Sequence, residues 1–149
     1  MHKSWTEELS YKHRIVSIVD DELDITKLFQ DAICGKLNGI SVLSFTDPIT
    51  ALAHFKENKE SYVLVISDLR MPQLNGLELL KNVKKLNANV RTILTSAYEV
   101  NEDKIFQEYM KEGIIDLFLN KPVTINRLCQ NVSDMVYDQE WSSWRDCAN

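Results

Sequence analysis

The sequence is poor in the residues that mark specialised protein classes. Its three cysteines, Cys34, Cys129 and Cys147, are odd in number and far apart, with no CxxC pair and no Cys/His metal spacing. A disulfide framework or a zinc module is therefore excluded, and reduced thiols inside a cell are expected. Four glycines and three prolines among 149 residues are too few for collagen or a low-complexity linker. Positive charge is also in deficit. Seventeen Lys and Arg against 22 Asp and Glu give a formal charge of −5, which disfavours a surface that binds nucleic acid through its phosphates. No apolar run approaches the roughly 20 residues that cross a bilayer, and the opening MHKSWTEELSYKHR lacks a signal-peptide core. The expected location is the cytoplasm, with no membrane partner.

What is present is an ordinary globular balance, 44% hydrophobic and 26% charged, in a length that suits one domain. Five short apolar runs recur every 20 to 30 residues, at 15–19, 40–45, 62–66, 90–94 and 115–119. They are continuous rather than alternating and rich in Ile, Val and Leu, as in strands covered on both faces of a parallel sheet. Helical stretches separate them. Ile25, Leu28, Phe29, Ala32 and Ile33 follow three-and-four spacing, with Gly35 or Gly39 to end the helix. Asp47 and Pro48 suit the cap and first turn of a second helix, with Ile49, Leu52, Ala53 and Phe55 turned inward. Residues 76–86, 102–112 and 124–137 supply three more. This alternation predicts an α/β fold, a doubly wound (βα)5 three-layer sandwich.

In such a sheet ligands bind beyond the carboxyl ends of the strands, so residues that end successive runs converge. The first run ends in Asp20, Asp21 and Glu22. Two carboxylates about 4 Å apart repel by roughly 4 kcal/mol at an effective dielectric of 20, which favours a bound cation or a proton. Oxygen ligands and a phosphate to bridge would select Mg²⁺ or Mn²⁺. Taken alone, the cluster is also what a solvated turn or a helix N-cap would contain. The third run ends at Asp68, fixed by the sheet yet exposed at its edge, where a carboxylate can act as a nucleophile toward phosphorus. The fourth ends in Thr95, Ser96 and Ala97, offering a hydroxyl. The fifth ends at Lys121, a cation opposite three carboxylates that would neutralise a transferred phosphate.

In this order, the segments IVDDE, SDLRMPQLNGLELL, ILTSAY and FLNKP resemble the receiver domain of two-component response regulators. The resemblance runs over residues 14–138, leaving 1–13 as an N-terminal extension and 139–149 as a C-terminal tail. It implies the flavodoxin-like strand order 2-1-3-4-5. It implies Asp68 as phosphoacceptor, served by a histidine kinase or phosphotransfer protein, and a downstream effector as target. Asp21, Asp68 and the Arg70 carbonyl would hold Mg²⁺, with Asp20 acting through water. Lys121 would pair with the phosphoryl group, and its bond to Pro122 would be cis. Ser96 and Phe118 would form the switch, and the fourth helix, fifth strand and fifth helix a surface for a homodimer. Arg70 and Tyr98 occupy positions flanking the path of hydrolytic water, so slow autodephosphorylation is expected.

Two features depart from the pattern. The segment from Ser96 to Lys121 is a few residues long, which leaves the register of the fourth helix open. Trp5, Trp141 and Trp144 all lie outside the matched core, the last two spaced to share a helix face. Two rival readings are weaker. A metal-dependent phosphohydrolase with an aspartyl nucleophile would place a second Asp two residues after the first, where this chain has Arg70. A flavin or nucleotide module would need a hydroxyl- or glycine-rich loop after the first strand, where this chain has acids.

Overall fold

The computed structural model describes residues 14–35 and 37–148, with side chains as far as residue 137. Its five strands are β1 (Arg14–Val19), β2 (Ile40–Phe45), β3 (Tyr62–Asp68), β4 (Arg91–Ser96) and β5 (Leu117–Asn120). They alternate with α1 (Leu23–Cys34), α2 (Pro48–Asn58), α3 (Gly76–Leu86), α4 (Lys104–Lys111) and α5 (Ile125–Ala148). All strand pairs are parallel and lie in the order β2-β1-β3-β4-β5. The expected fold class and strand order are those observed.

Each face of the sheet carries its own apolar layer. Val16, Ile18, Leu64, Ile66, Ile93 and Leu119 point to one side, where Ile33 follows from α1 and Leu128, Val132 and Val136 from α5. The alternate positions Val65 and Leu94 face Phe55 of α2, Leu80 and Val83 of α3, and Phe106 of α4. This is why the strands read as unbroken apolar runs: successive side chains point to opposite faces, and both faces are covered. Full burial of a residue such as Leu64 or Leu80 contributes about 1.5–3 kcal/mol.

The helices start where local chemistry directs them. Asp47 accepts from the Ile49 amide, Asn75 from the Glu78 amide, and Asp103 from those of Ile105 and Phe106. At α1 no side chain caps the helix at Glu22; Asp20 Oδ1 accepts from the Glu22 amide instead, at 3.0 Å.

Several expectations about helix faces are corrected. In α2 the inward stripe is Pro48, Ala51, Leu52 and Phe55, spaced by three and four, so Ile49 and Ala53 are exposed. In α1 the inward positions are Thr26, Phe29 and Ile33, and Leu28 is 52% exposed. The fourth helix begins at Lys104 rather than at residue 102, because Asp103 is its cap. Between Ser96 and Lys121 the chain runs through a loop into α4 and a second loop that turns through Gly113 at a φ of 79° before β5. The last helix continues beyond residue 137, its backbone helical to Ala148. Trp5, the side chains of Trp141, Trp144 and Cys147, and the N-terminal extension lie outside the described residues.

Candidate functional site

Asp20 follows β1, Asp68 ends β3 and Lys121 follows β5, so the sheet alone brings residues a hundred positions apart to one edge. The Lys121 ammonium lies 2.9 Å from Asp20 Oδ2 and 3.2 Å from Asp68 Oδ1. All three side chains are largely enclosed, Asp20 most of all. Asp21 is exposed on the rim, and carboxylate oxygens of Asp20, Asp21 and Asp68 lie within 4.8 Å of one another.

Three carboxylates around one ammonium leave the pocket short of positive charge. Burial pushes the Asp68 carboxyl above the ordinary carboxylate range; the Lys121 charge opposes this, and the Asp20 charge adds to it. Burial alone would lower the Lys121 ammonium. Its hydrogen bond to Asp20 and the charges of both aspartates outweigh that and hold it above its ordinary value. Both shifts favour the forms with a proton bound. The donor set, three hard carboxylate oxygens with that of Asp21 open to the rim, suits Mg²⁺ or Mn²⁺.

The backbone beneath this cluster is tightly tied. The Leu69 amide donates to Thr95 O and the Lys121 amide to Ser96 O, each at 2.8 Å, so the end of β4 anchors both neighbouring loops. The Gly76 amide donates to Leu69 O at 2.8 Å as the chain returns into α3. A Cβ on Gly76 would sit 2.2 Å from the Asp68 carbonyl oxygen, so only glycine lets α3 start this close to the end of β3.

Ser96, Phe118, Arg70 and Tyr98 lie around this pocket. Ser96 is 1% exposed, and its Oγ accepts from the Tyr98 amide at 3.0 Å. Alternation along β4 puts Ser96 on the side of Leu94, toward α3 and α4, and Thr95 on the side of Ile93. Phe118 shares the Ser96 side, half-buried against Phe106 with ring centroids 5.0 Å apart. The Arg70 guanidinium carbon lies 3.9 Å from the centre of the Tyr98 ring, a cation–π contact that joins the loops after β3 and β4. The Lys121–Pro122 peptide is cis.

Sequence reasoning named Thr95 only as one of the residues ending the fourth run, and did not find the groove beside the pocket. Thr95 lies on the same face as Asp68, its register partner, and only the sheet alignment shows this. Beside the pocket is an apolar groove of about 400 Å³, lined by Ile25, Leu28, Ala97, Pro122, Val123 and Ile125 among others. The exposure of Leu28, read as inward from its spacing, is part of that groove.

Comparison with known proteins agrees with the architecture. The family model described as the response regulator receiver domain matches residues 16–133. The transcriptional regulatory protein FixJ of Rhizobium meliloti is 36% identical over 107 residues, covering 72% of this chain and 49% of that protein. The cyclic di-GMP phosphodiesterase response regulator RpfG of Xanthomonas campestris is 28% identical over 133 residues, 89% of this chain and 34% of that protein. This chain thus spans half or less of the length of these curated relatives. Among solved structures, a receiver domain from Clostridium thermocellum superposes with a TM-score of 0.74 at 26% identity, covering 86% of this chain and 98% of that one. A Francisella response regulator receiver domain gives 0.68 at 32% identity, covering 84% and 98%. With the family model matched over most of its length, the chain belongs to the response regulator receiver domain family.

Proposed function

We propose that this receiver takes a phosphoryl group onto Asp68 from a histidine kinase or phosphotransfer protein and passes the signal to an effector. Receiver domains are signalling phosphoacceptors that bind Mg²⁺ at an acidic aspartate cluster, and response regulators work between kinases and effectors. The observation that carries the assignment here is the Lys121 ammonium held between Asp20 and Asp68, with Asp21 at the rim.

In the transfer, an Asp68 carboxylate oxygen attacks phosphorus in line. The bond from phosphorus to the donor's imidazole nitrogen, or to the acyl oxygen of a small acyl phosphate, breaks with its electron pair on the leaving group. Such a loose transition state asks for positioning and neutralisation more than for acid–base chemistry. Asp21, Asp68 and the Arg70 carbonyl would hold Mg²⁺, with Asp20 through water; the ion supplies positive charge against the phosphoryl oxygens. Lys121 starts between two carboxylates and turns one of its N–H bonds toward the incoming phosphoryl group. Ser96 gives up the Tyr98 amide to reach a phosphoryl oxygen, and Phe118 moves against the space it leaves. That change reaches the surface of α4, β5 and α5, which is the face proposed for the effector or a second copy.

The apolar groove beside the pocket supports a protein donor, because it offers a docking surface next to Lys121 and Pro122. The phosphohydrolase alternative is disfavoured by Arg70, which stands where an acid–base aspartate would be needed. Incubation with Mg²⁺ and acetyl phosphate, read by intact mass, tests the assignment. Wild type is expected to gain one base-labile phosphoryl group, and Asp68→Asn none. A wild-type chain without an adduct, or an Asp68→Asn chain with one, would overturn it.

A further inference from the structure

Beneath the acidic cluster lies a small chamber with about 10 Å³ of room for the centre of a water molecule, close to what one water needs. Its apolar wall is Ile18, Val19, Phe29, Ile66, Val123 and Leu128, but its ceiling is polar: Asp20, Asp68, Thr95 and Lys121. Thr95 is 6% exposed, and the nearest acceptor for its Oγ1, the Ser67 carbonyl oxygen, lies at 3.5 Å. At that distance the bond is feeble, so the hydroxyl is buried with its proton nearly uncommitted. Lys121 is in a similar position. Two of its three N–H bonds are taken by Asp20 and Asp68, and no further acceptor for the third is found among the described residues.

We infer that Thr95 is a positioning residue of the phosphorylation site, acting through a single water held in this chamber between its hydroxyl and the Lys121 ammonium. The inference rests on the proposed phosphoacceptor function and adds a residue to it. The water accepts from the third N–H of Lys121 and donates to the carboxylates above, while Thr95 Oγ1 fixes it from the side. When a phosphoryl group arrives on Asp68, Lys121 must leave Asp68 Oδ1 for a phosphoryl oxygen. A water that keeps its hold through this exchange spares the ammonium an unpaired N–H in a desolvated pocket. A purely apolar residue at position 95 would pack the chamber equally well but give no such hold. The sheet fixes the geometry, since Thr95 is the direct register partner of Asp68 on β4.

The test compares wild type, Thr95→Val and Thr95→Ser in Mg²⁺ with acetyl phosphate, together with high-resolution crystal structures of all three. Valine keeps the shape and removes the hydroxyl. The maximal rate of phosphorylation is expected to fall about tenfold in Thr95→Val, the scale of one hydrogen bond to a charged group, with half-saturation by acetyl phosphate unchanged. Thr95→Ser should recover most of the rate. The water should be seen in wild type and Thr95→Ser and be missing in Thr95→Val. If Thr95→Val does not fold, Thr95→Cys, similar in size and a far weaker donor, takes its place. Equal maximal rates in wild type and the valine or cysteine variant would overturn the inference, as would a wild-type chamber without water. A wild type that takes no phosphoryl group would instead remove the functional reading, and the crystallographic comparison would still decide whether Thr95 holds a water.

Discussion

Replacing Lys121 by methionine separates the electrostatic role of this side chain from its bulk. The ammonium sits 2.9 Å from one carboxylate and 3.2 Å from another, with side-chain exposures of 18% for Lys121, 5% for Asp20 and 12% for Asp68. Each contact corresponds to about 5 kcal/mol of gross attraction at an effective dielectric of 20, most of it offset by the desolvation of three charges. Removing one partner of such a group leaves the others uncompensated, and the expected net loss is about 3 kcal/mol at neutral pH without metal. In a chain of 149 residues this lowers the unfolding temperature by about 6–12 °C. The sign with pH follows from the carboxylates. Burial already holds Asp68 above its ordinary value, and loss of Lys121 raises it further. An acid whose folded pKa is raised costs nothing while both states are protonated and becomes destabilising above the unfolded value of about 3.9. The deficit of Lys121→Met is therefore small near pH 4 and grows toward neutrality. Mg²⁺ should recover much of it, and should stabilise the variant more than wild type because the cluster has lost its internal cation. Thermal unfolding followed by circular dichroism, at both pH values and with or without Mg²⁺, measures all of this. A deficit independent of pH, or equal stabilisation of both proteins by Mg²⁺, would refute the reasoning.

Four further outcomes are expected. Gly76→Ala places a Cβ 2.2 Å from the Asp68 carbonyl oxygen and 2.9 Å from Leu94 Cδ1, so α3 must back away; a loss of about 2–3 kcal/mol in chemical denaturation and slower phosphorylation are expected together. Asp116→Ala should destabilise by about 1–3 kcal/mol, since the buried Thr92 amide then loses the Oδ2 acceptor it holds at 2.9 Å. Lys84→Ala, which removes only the other partner of that carboxylate, should cost clearly less in the same titration. If the Arg70–Tyr98 contact screens the acyl phosphate from water, phosphoryl decay should quicken about fivefold or more in Arg70→Ala and Tyr98→Ala alike, and unchanged decay in both would discard the slow-hydrolysis reading.

The strands and the site were legible because a parallel sheet writes both into the sequence in the same way. A strand covered on both sides must be continuously apolar, and its last residue is where chemistry becomes accessible, so Asp20, Asp68, Ser96 and Lys121 stand out at the ends of runs. Helix faces were less legible. Spacing gives a stripe of the right width, but α2 shows that an inward face through Ala51 satisfies the same period as one through Ala53, and only packing on the sheet chooses. Leu28 was misplaced because an apolar residue on a helix reads as core whether it packs inward or lines a groove. The stacking of Arg70 on Tyr98 and the chamber under Thr95 depend on loop paths and strand register, which no periodicity encodes.

The bond between Lys121 and Asp20 joins positions 101 apart in sequence. Closing a contact of such separation carries the loop entropy of everything between, which the sheet has to offset. A growing chain that has paired β1, β3 and β4 already displays its acids but has no cation among them. Only the docking of β5, at the sheet edge, supplies the missing charge. The charge balance of the pocket is thus tied to the outermost strand, and whatever loosens β5 from β4 removes the cation from among the acids.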